Sequence, residues 1–284
     1  MTTPVIVTTQ EELETLTQAW VQAGETIAFV PTMGALHQGH LALVEQASQN
    51  ADRVVVSIFV NPLQFGTGED FNQYPRDIDK DASALGDSPA DLVFAPTVSE
   101  IYPEGPGATA TQSAGVIGRL FEGASRPGHF DGMLTVVYRL FDLVKPDVAV
   151  FGQKDAQQLF LISQMVDTLA LPIRIVGVET VRGSDDLALS SRNAYLSPSE
   201  HQIALAIPQA LDAAGVARNS DEAKKNARAV LEKSEGLEAD YIEIVDPDSF
   251  LALPPGSPAH QGRLIIAALV GSTRLIDNQL LTFG

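Results

Sequence analysis

No cysteine occurs among the 284 residues of this chain. Disulfides, thiolate-bound metals and any thioester or thiolate mechanism are therefore excluded. Acyl chemistry, if present, must use another activated form. Long apolar runs are also missing: none approaches the roughly 20 residues that a membrane span requires. The N-terminal stretch MTTPVIVTTQEELETL lacks the basic-then-apolar order of a secretory signal. A cytoplasmic location without a membrane partner is the resulting expectation. Positive charge is scarce too, with 18 Lys and Arg against 36 Asp and Glu, for a formal net charge of −18. Such a surface repels nucleic acid and anionic membranes. An anionic ligand must then be met by a local pocket of basic groups and helix N-termini.

The rest of the composition is ordinary for a globular protein, 45% hydrophobic and 19% charged, and the length suffices for two modest domains. Residues 26–30 and 53–60 are continuous Val/Ile/Phe-rich runs, which read as strands covered on both faces. Shorter runs follow at 91–95, 147–151 and 173–178, with helical patterns at 41–50, 77–85, 133–144 and 155–169. Strands alternating with helices predict a doubly wound, Rossmann-like parallel α/β sheet. After about residue 181 the pattern changes. Helical segments at 198–216 and 221–234 precede strand-like runs at 240–245, 263–270 and 272–281, as in a small α+β unit. The expected domains are 1–182 and 183–284, the second serving as a lid.

The most informative stretch is 31–40, PTMGALHQGH, in which an apolar strand meets a Gly-containing turn and two histidines, His37 and His40, open a helix. Imidazoles and backbone N–H groups at a helix N-terminus suit phosphate, and HxGH is the form used on the α-phosphate of ATP by class I nucleotidyl-transfer enzymes. Half of a zinc site is the competing reading, but the motif holds no cysteine or acidic residue. Asn61 and Gln64 follow the 53–60 strand at a carboxyl end, where doubly wound sheets bind ligands. Gly152, Gln153, Lys154 and Asp155 follow the 147–151 strand, with Gln158 one turn further on the side of Lys154. Leu189-Ser190-Ser191-Arg192-Asn193 offers two hydroxyls and a guanidinium as an anion clamp. Arg126 and His129 sit in a Gly/Pro-rich loop, while His201 and His260 read as surface residues without a partner pattern.

Together the segments PTMGALHQGH (31–40), VVVSIFVNPLQF (54–65), EDFNQYPRD (69–77), EGASRPGHF (122–130), FGQKDAQQL (151–159), LALSSRNAYLS (187–197) and RLIDN (274–278) resemble the pantoate–β-alanine ligase family over nearly the whole chain. Two departures are visible: Gln153 stands where the family usually has Glu, and Asp186 where it usually has Gly. The resemblance implies ATP-dependent condensation of pantoate with β-alanine through a pantoyl adenylate, releasing pyrophosphate and AMP. It implies an ATP site of Met33, Gly34, Ala35, Leu36, His37, Gln38, Gly39, His40, Gly152, Gln153, Lys154, Asp155, Val181, Leu189, Ser190, Ser191 and Arg192. His37, His40, Lys154, Ser190, Ser191 and Arg192 would be catalytic, with His40 as proton donor or as a source of transition-state electrostatics. It places Gln64 and Gln158 on the polar groups of pantoate, and Pro31, Met33, Asn61, Arg126 and His129 around the pantoate and β-alanine sites. Mg²⁺ with ATP is implied, with Asp81 the best match for a metal-associated carboxylate. No organic prosthetic group is implied, and a homodimer is. A plain nucleotidylyltransferase, a class I aminoacyl-tRNA synthetase relative and a non-catalytic nucleotide sensor are the rival readings. The acidic charge argues against the second, and the two motif histidines with Lys154 and the 189–193 clamp argue against the third.

Overall fold

The computed structural model describes residues 4–66, 69–72, 74–108, 112–258 and 260–284. The chain divides into two compact units, Met1–Gln153 with Gln158–Glu179, and Lys154–Gln157 with Thr180–Gly284. The second unit thus takes Lys154–Gln157 and Thr180–Arg182, segments that linear reading assigns to the first.

In chain order, the first unit carries β1 (Val5–Val7), α1 (Gln10–Gln22), β2 (Ile27–Thr32), α2 (Gln38–Ser48), β3 (Arg53–Ile58), α3 (Ile78–Leu85), β4 (Leu92–Phe94), α4 (Val98–Ile101), α5 (Glu122–Ser125), α6 (His129–Val144), β5 (Val148–Gly152), α7 (Ala156–Thr168, whose first two residues belong to the other unit) and β6 (Arg174–Val178). The six strands form one parallel sheet in the order β1-β4-β3-β2-β5-β6. The expected doubly wound sheet is therefore present, with β1 and α1 added. The cue for α1 is local: Thr9 caps the helix and Glu12 returns the bond to the cap backbone.

Both faces of the sheet are covered, as the unbroken apolar runs require. Phe29, Val55, Phe94 and Phe151 face a core closed by Leu13 of α1, Met133, Val137 and Phe141 of α6 and Ile162 of α7. Their strand neighbours Val30, Val56, Val93 and Val150 face the other core, closed by Val44 and Ala47 of α2 and Leu85 of α3. Each such side chain contributes roughly 1.5–3 kcal/mol on burial.

The chain leaves β2 toward β3 on one side, while β5 leads to β6 on the other, so β2 and β5 flank the topological switch point where such sheets bind ligands. Their pairing covers only Ala28↔Val148 and Phe29↔Ala149, and Val150–Gly152 pair with β6 alone. Pro31 explains part of this, since it has no N–H to give a ladder. The two strands separate just before the stretch PTMGALHQGH, which opens at Pro31.

The second unit contains α8 (Pro198–Ala204), α9 (Ala206–Gly215), α10 (Ser220–Leu231), β7 (Leu237–Val245), β8 (Gln261–Val270) and β9 (Thr273–Thr282). The strands form an antiparallel sheet, β7-β8-β9, packed on the helices through Ile207, Leu211, Ala227, Ile244, Leu264 and Ile266. The single helical segment expected over 198–216 is two helices that break at Leu205. Pro208 is the reason: it cannot donate to the carbonyl of Ala204 and its ring crowds that turn.

Candidate active site

The turn between β2 and α2 is built against its own backbone preferences. Gly34 and Ala35 both have positive φ, +85° and +52°. A methyl group on Gly34 would stand 2.7 Å from Asp81 Oδ2, so only glycine admits the close approach. Asp81, 3% exposed at the first turn of α3, accepts from Ala35 N (3.1 Å) and Leu36 N (2.8 Å), and Thr32 Oγ1 accepts from Gly34 N (3.2 Å). Both carboxylate oxygens accept from the turn, so the residue that the family resemblance associates with a metal also braces the motif. Among the described residues no group of three His, Asp or Glu could hold a metal ion.

His37 is the N-cap of α2, and its Nδ1 accepts from Gly39 N (3.1 Å). His40 Nδ1 accepts from His37 N (3.3 Å), and the two rings lie 4.1 Å apart, tilted by 41°. A ring nitrogen that accepts carries no proton, so each neutral imidazole holds its proton on Nε2. The backbone nitrogens of residues 34–37 and 39 all find partners inside the turn or on Asp81. The turn thus uses these five backbone N–H groups itself, and the motif's two neutral imidazoles each carry their proton on Nε2.

Gln64 is fixed by a chain of oriented bonds. Tyr102 Oη donates to Asn61 Oδ1 (2.8 Å), as does Leu63 N (3.2 Å). Burial pushes the Tyr102 phenol well above its ordinary range, so it remains a donor. Asn61 Nδ2 then donates to Gln64 Oε1 and to Gly132 O, both at 3.0 Å. Gly132 makes this possible, since a Cβ there would meet Leu63 O at 2.1 Å. Gln64 is left to present Nε2, which donates to Met33 Sδ (3.0 Å). A thioether is a weak acceptor, which a carboxylate oxygen readily displaces. Asn61, Gln64 and Met33, predicted to surround the acid, are thus brought together. Tyr102 is a member that sequence reading missed.

Arg126 and His129, expected around the pantoate and β-alanine sites, are also tied to protein groups. Arg126 forms a two-point ion pair with Glu69 (Nε–Oε1 2.9 Å, Nη2–Oε2 2.7 Å) and places Nη1 3.2 Å from His129 Nε2. His129 Nδ1 lies 2.8 Å from Gln64 O, an acceptor, so Nδ1 bears the proton and Nε2 accepts from Arg126. Their polar atoms face protein groups and hold the backbone of Gln64. Burial, with the Arg126 cation beside it, brings the His129 pKa down to about 4 from 6.5. Arg126 likewise lowers that of Glu69. Between pH 6.5 and about 4 the unfolded chain therefore binds a proton at His129 that the folded chain does not. This contribution to stability is complete above that window and is lost as pH falls through it. Thermal melts at pH 7.5, 6 and 5 should show wild type losing on the order of a few kcal/mol more than His129→Asn across the window. Parallel losses would contradict the assignment.

Within 66–76, residues 67, 68 and 73 lie outside the described residues. Pro31 lies in β2 opposite Ser57 of β3, and Gly152 and Gln153 end β5 and begin a single 3₁₀ turn. Gln38 and Gly39 begin α2, and Gln158 lies half-buried in the first turn of α7.

In the second unit, residues 181–189 form a tight hairpin, with Leu189 N to Val181 O and Gly183 N to Leu187 O both at 2.9 Å. Asp186 occupies the left-handed region at φ +65°, a strain on the order of 1–2 kcal/mol that a glycine would avoid. Arg182 fixes the hairpin through both Asp277 oxygens (2.7 and 3.0 Å). Ser190 follows directly and its Oγ accepts from Arg192 N (3.3 Å), capping the 3₁₀ turn Ser191–Tyr195, and Asn193 Nδ2 donates to Ala188 O (3.0 Å). His201 lies at the surface, as read from the sequence, and its Nε2 meets Asp185 Oδ2 at 2.6 Å. Lys154 joins this unit because Asn278 Nδ2 donates to Lys154 O (2.9 Å). Asp277 and Asn278, both buried, are site supports that the sequence reading did not find.

Comparison with known proteins places these features in context. A model of the family described as pantoate-beta-alanine ligase matches residues 5–280. A pantothenate synthetase of Nocardioides sp. (strain ATCC BAA-499 / JS614) is 50% identical over 99% of this chain and 86% of its own length. That of Shewanella halifaxensis (strain HAW-EB4) is 47% identical over 98% and 100%. The crystal structure of pantothenate synthetase from Thermus thermophilus matches with a TM-score of 0.90 at 44% identity, covering 97% of this chain and 98% of that one. Pantoate-beta-alanine ligase from Francisella tularensis, complexed with beta-gamma ATP and beta-alanine, matches with a TM-score of 0.81 at 34% identity, covering 98% and 97%.

Proposed function

The chain belongs to the pantoate–β-alanine ligase family, and from that premise we propose how its residues divide the work. The enzyme condenses pantoate with β-alanine using ATP, through pantoyl adenylate, and releases pyrophosphate and AMP.

The first step needs no base, because a carboxylate is already ionised at neutral pH. It needs two mutually repelling anions aligned and the charge developing at the α-phosphate met by fixed donors. The Nε2–H groups of His37 and His40 are assigned to that phosphate. The observation that carries the assignment is the pair of Nδ1 atoms tied to backbone N–H groups, which fixes both imidazoles as Nε2 donors. Lys154, Ser190, Ser191 and Arg192 are assigned to the leaving pyrophosphate. Mg²⁺ enters with ATP as part of the substrate, since that ion favours phosphate oxygens and water over an all-protein cage. Gln64, with Gln158, receives the polar groups of pantoate, and Met33 and Pro31 cover its methyl groups. The amine of β-alanine then attacks the acyl carbonyl and AMP leaves. Cytoplasmic residence suits a cysteine-free acidic chain, and a homodimer rests on the family likeness.

The pantoate assignment is tested by titrating the two substrates separately. Gln64→Ala removes one neutral hydrogen bond to a charged ligand, so the KM for pantoate should rise about 10-fold or more, while that for ATP changes little. A selective loss of ATP would place Gln64 at the wrong substrate.

A further inference from the structure

We infer that Asn278 is a positioning residue for Lys154, and that with its neighbour Asp277 it holds both phosphate-side segments in place from strand β9. The inference rests on the proposed role of Lys154 at the ATP phosphates. Asn278 is buried, with every polar group of its side chain engaged. Nδ2 donates to Lys154 O at 2.9 Å, and Oδ1 accepts from Arg263 Nη1 on the paired strand β8 at 2.5 Å. Because the guanidinium has no acceptor, this bond fixes the amide the right way round, with Nδ2 toward Lys154. The backbone N–H of Asn278 donates to Asp277 Oδ1 (2.8 Å), and that same carboxylate grips Arg182 at the base of the 181–189 hairpin.

This arrangement is unusual for a strand of its kind. Residues 274–282 otherwise alternate in support of an apolar core, and two adjacent buried polar side chains cost free energy unless each is satisfied. Here both are satisfied by segments that carry proposed phosphate ligands: one by the main chain of Lys154, the other by the arginine eight residues before Ser190. Neither touches a reacting atom. A lysine side chain is flexible, so the register of its own backbone decides where its ammonium can reach.

The test uses the full-length enzyme. Asn278→Asp keeps the side chain's shape and its acceptor for Arg263 but replaces the donor with an oxygen that repels Lys154 O. The expected result is a fall of about 10–100-fold in kcat/KM for ATP during adenylate formation, as for a small misplacement of a binding group. The KM for pantoate should not change, nor should the rate at which β-alanine consumes supplied pantoyl adenylate. In a Lys154→Ala background the same substitution should add nothing, since its effect acts through Lys154. Additive effects, equal loss in both half-reactions, or wild-type behaviour of Asn278→Asp would overturn the inference while leaving the role of Lys154 standing. Wild-type behaviour of Lys154→Ala alone would overturn that role and the inference with it. Should Asn278→Asp not fold, Asn278→Ser, shorter but uncharged, carries the same readouts.

Discussion

Replacing His40 by alanine should lower kcat by about 10²–10³ with little loss of folding, the effect expected for removing one preorganised donor to a transition state. The α-phosphate gains negative charge as the pantoate carboxylate approaches, and a donor already aimed there needs no reorganisation. His40 is aimed by the bond from His37 N to its Nδ1 and by the adjoining His37 ring. A water molecule in its place would have neither constraint. The stability loss is small because the side chain's bond to the cap backbone is worth only about 0.5–2 kcal/mol. His260→Ala is the control, an exposed histidine in the second unit. It replaces His201 in that use, because His201 is paired with Asp185. Equal effects at positions 40 and 260, measured as pyrophosphate release in a single turnover, would remove His40 from the chemistry.

Asp81→Ala should be nearly as damaging, by a different route. It leaves the part-buried N–H groups of Ala35 and Leu36 without their acceptor, at up to roughly 1–3 kcal/mol each. Two successive residues with positive φ then lose the partner that holds them there. The turn relaxes, and the imidazoles that follow it lose their aim, so adenylate formation falls about 10²-fold with a lowered melting temperature. Magnesium separates this from the metal-ligand reading. A weakened metal site recovers as Mg²⁺ is raised, whereas a slackened turn does not. Titration of Asp81→Asn with Mg²⁺ should therefore show no recovery of pyrophosphate release. Recovery toward the wild-type rate would return Asp81 to the metal.

What the sequence made legible were features whose physics is local. The runs at 26–30 and 53–60 announce strands buried on both faces, and they are the centre of the sheet. HxGH announces its own turn, and Asn61 and Gln64 fall at a strand's carboxyl end as expected. What escaped were pairings made by distant segments. Tyr102 orients Asn61 from 41 residues away, and Asn278 reaches Lys154 across 124. No periodicity encodes such bonds, although the three polar residues Asp277, Asn278 and Gln279 inside LIDNQLL are a visible irregularity. At Asp81, Arg126 and His129 residue type alone does not show which protein groups each one meets: Asp81 and His129 bond backbone, and Arg126 pairs with Glu69. The Pro208 break in the helical segment at 198–216 was legible in principle, because proline denies a helix one bond wherever it falls inside it.

Attack of the pantoate carboxylate on an α-phosphate held by the HxGH turn is the step on which the proposed residue roles rest. It is tested most directly with pantoate labelled by ¹⁸O in both carboxylate oxygens, incubated with ATP and β-alanine until turnover is complete. If pantoyl adenylate forms, one labelled oxygen stays on phosphorus when the amine displaces AMP. Mass spectrometry should then find one ¹⁸O in each AMP, none in pyrophosphate, and one remaining in pantothenate. Label in pyrophosphate or inorganic phosphate, with AMP unlabelled, would show attack at another phosphorus and contradict the assignment of His37 and His40.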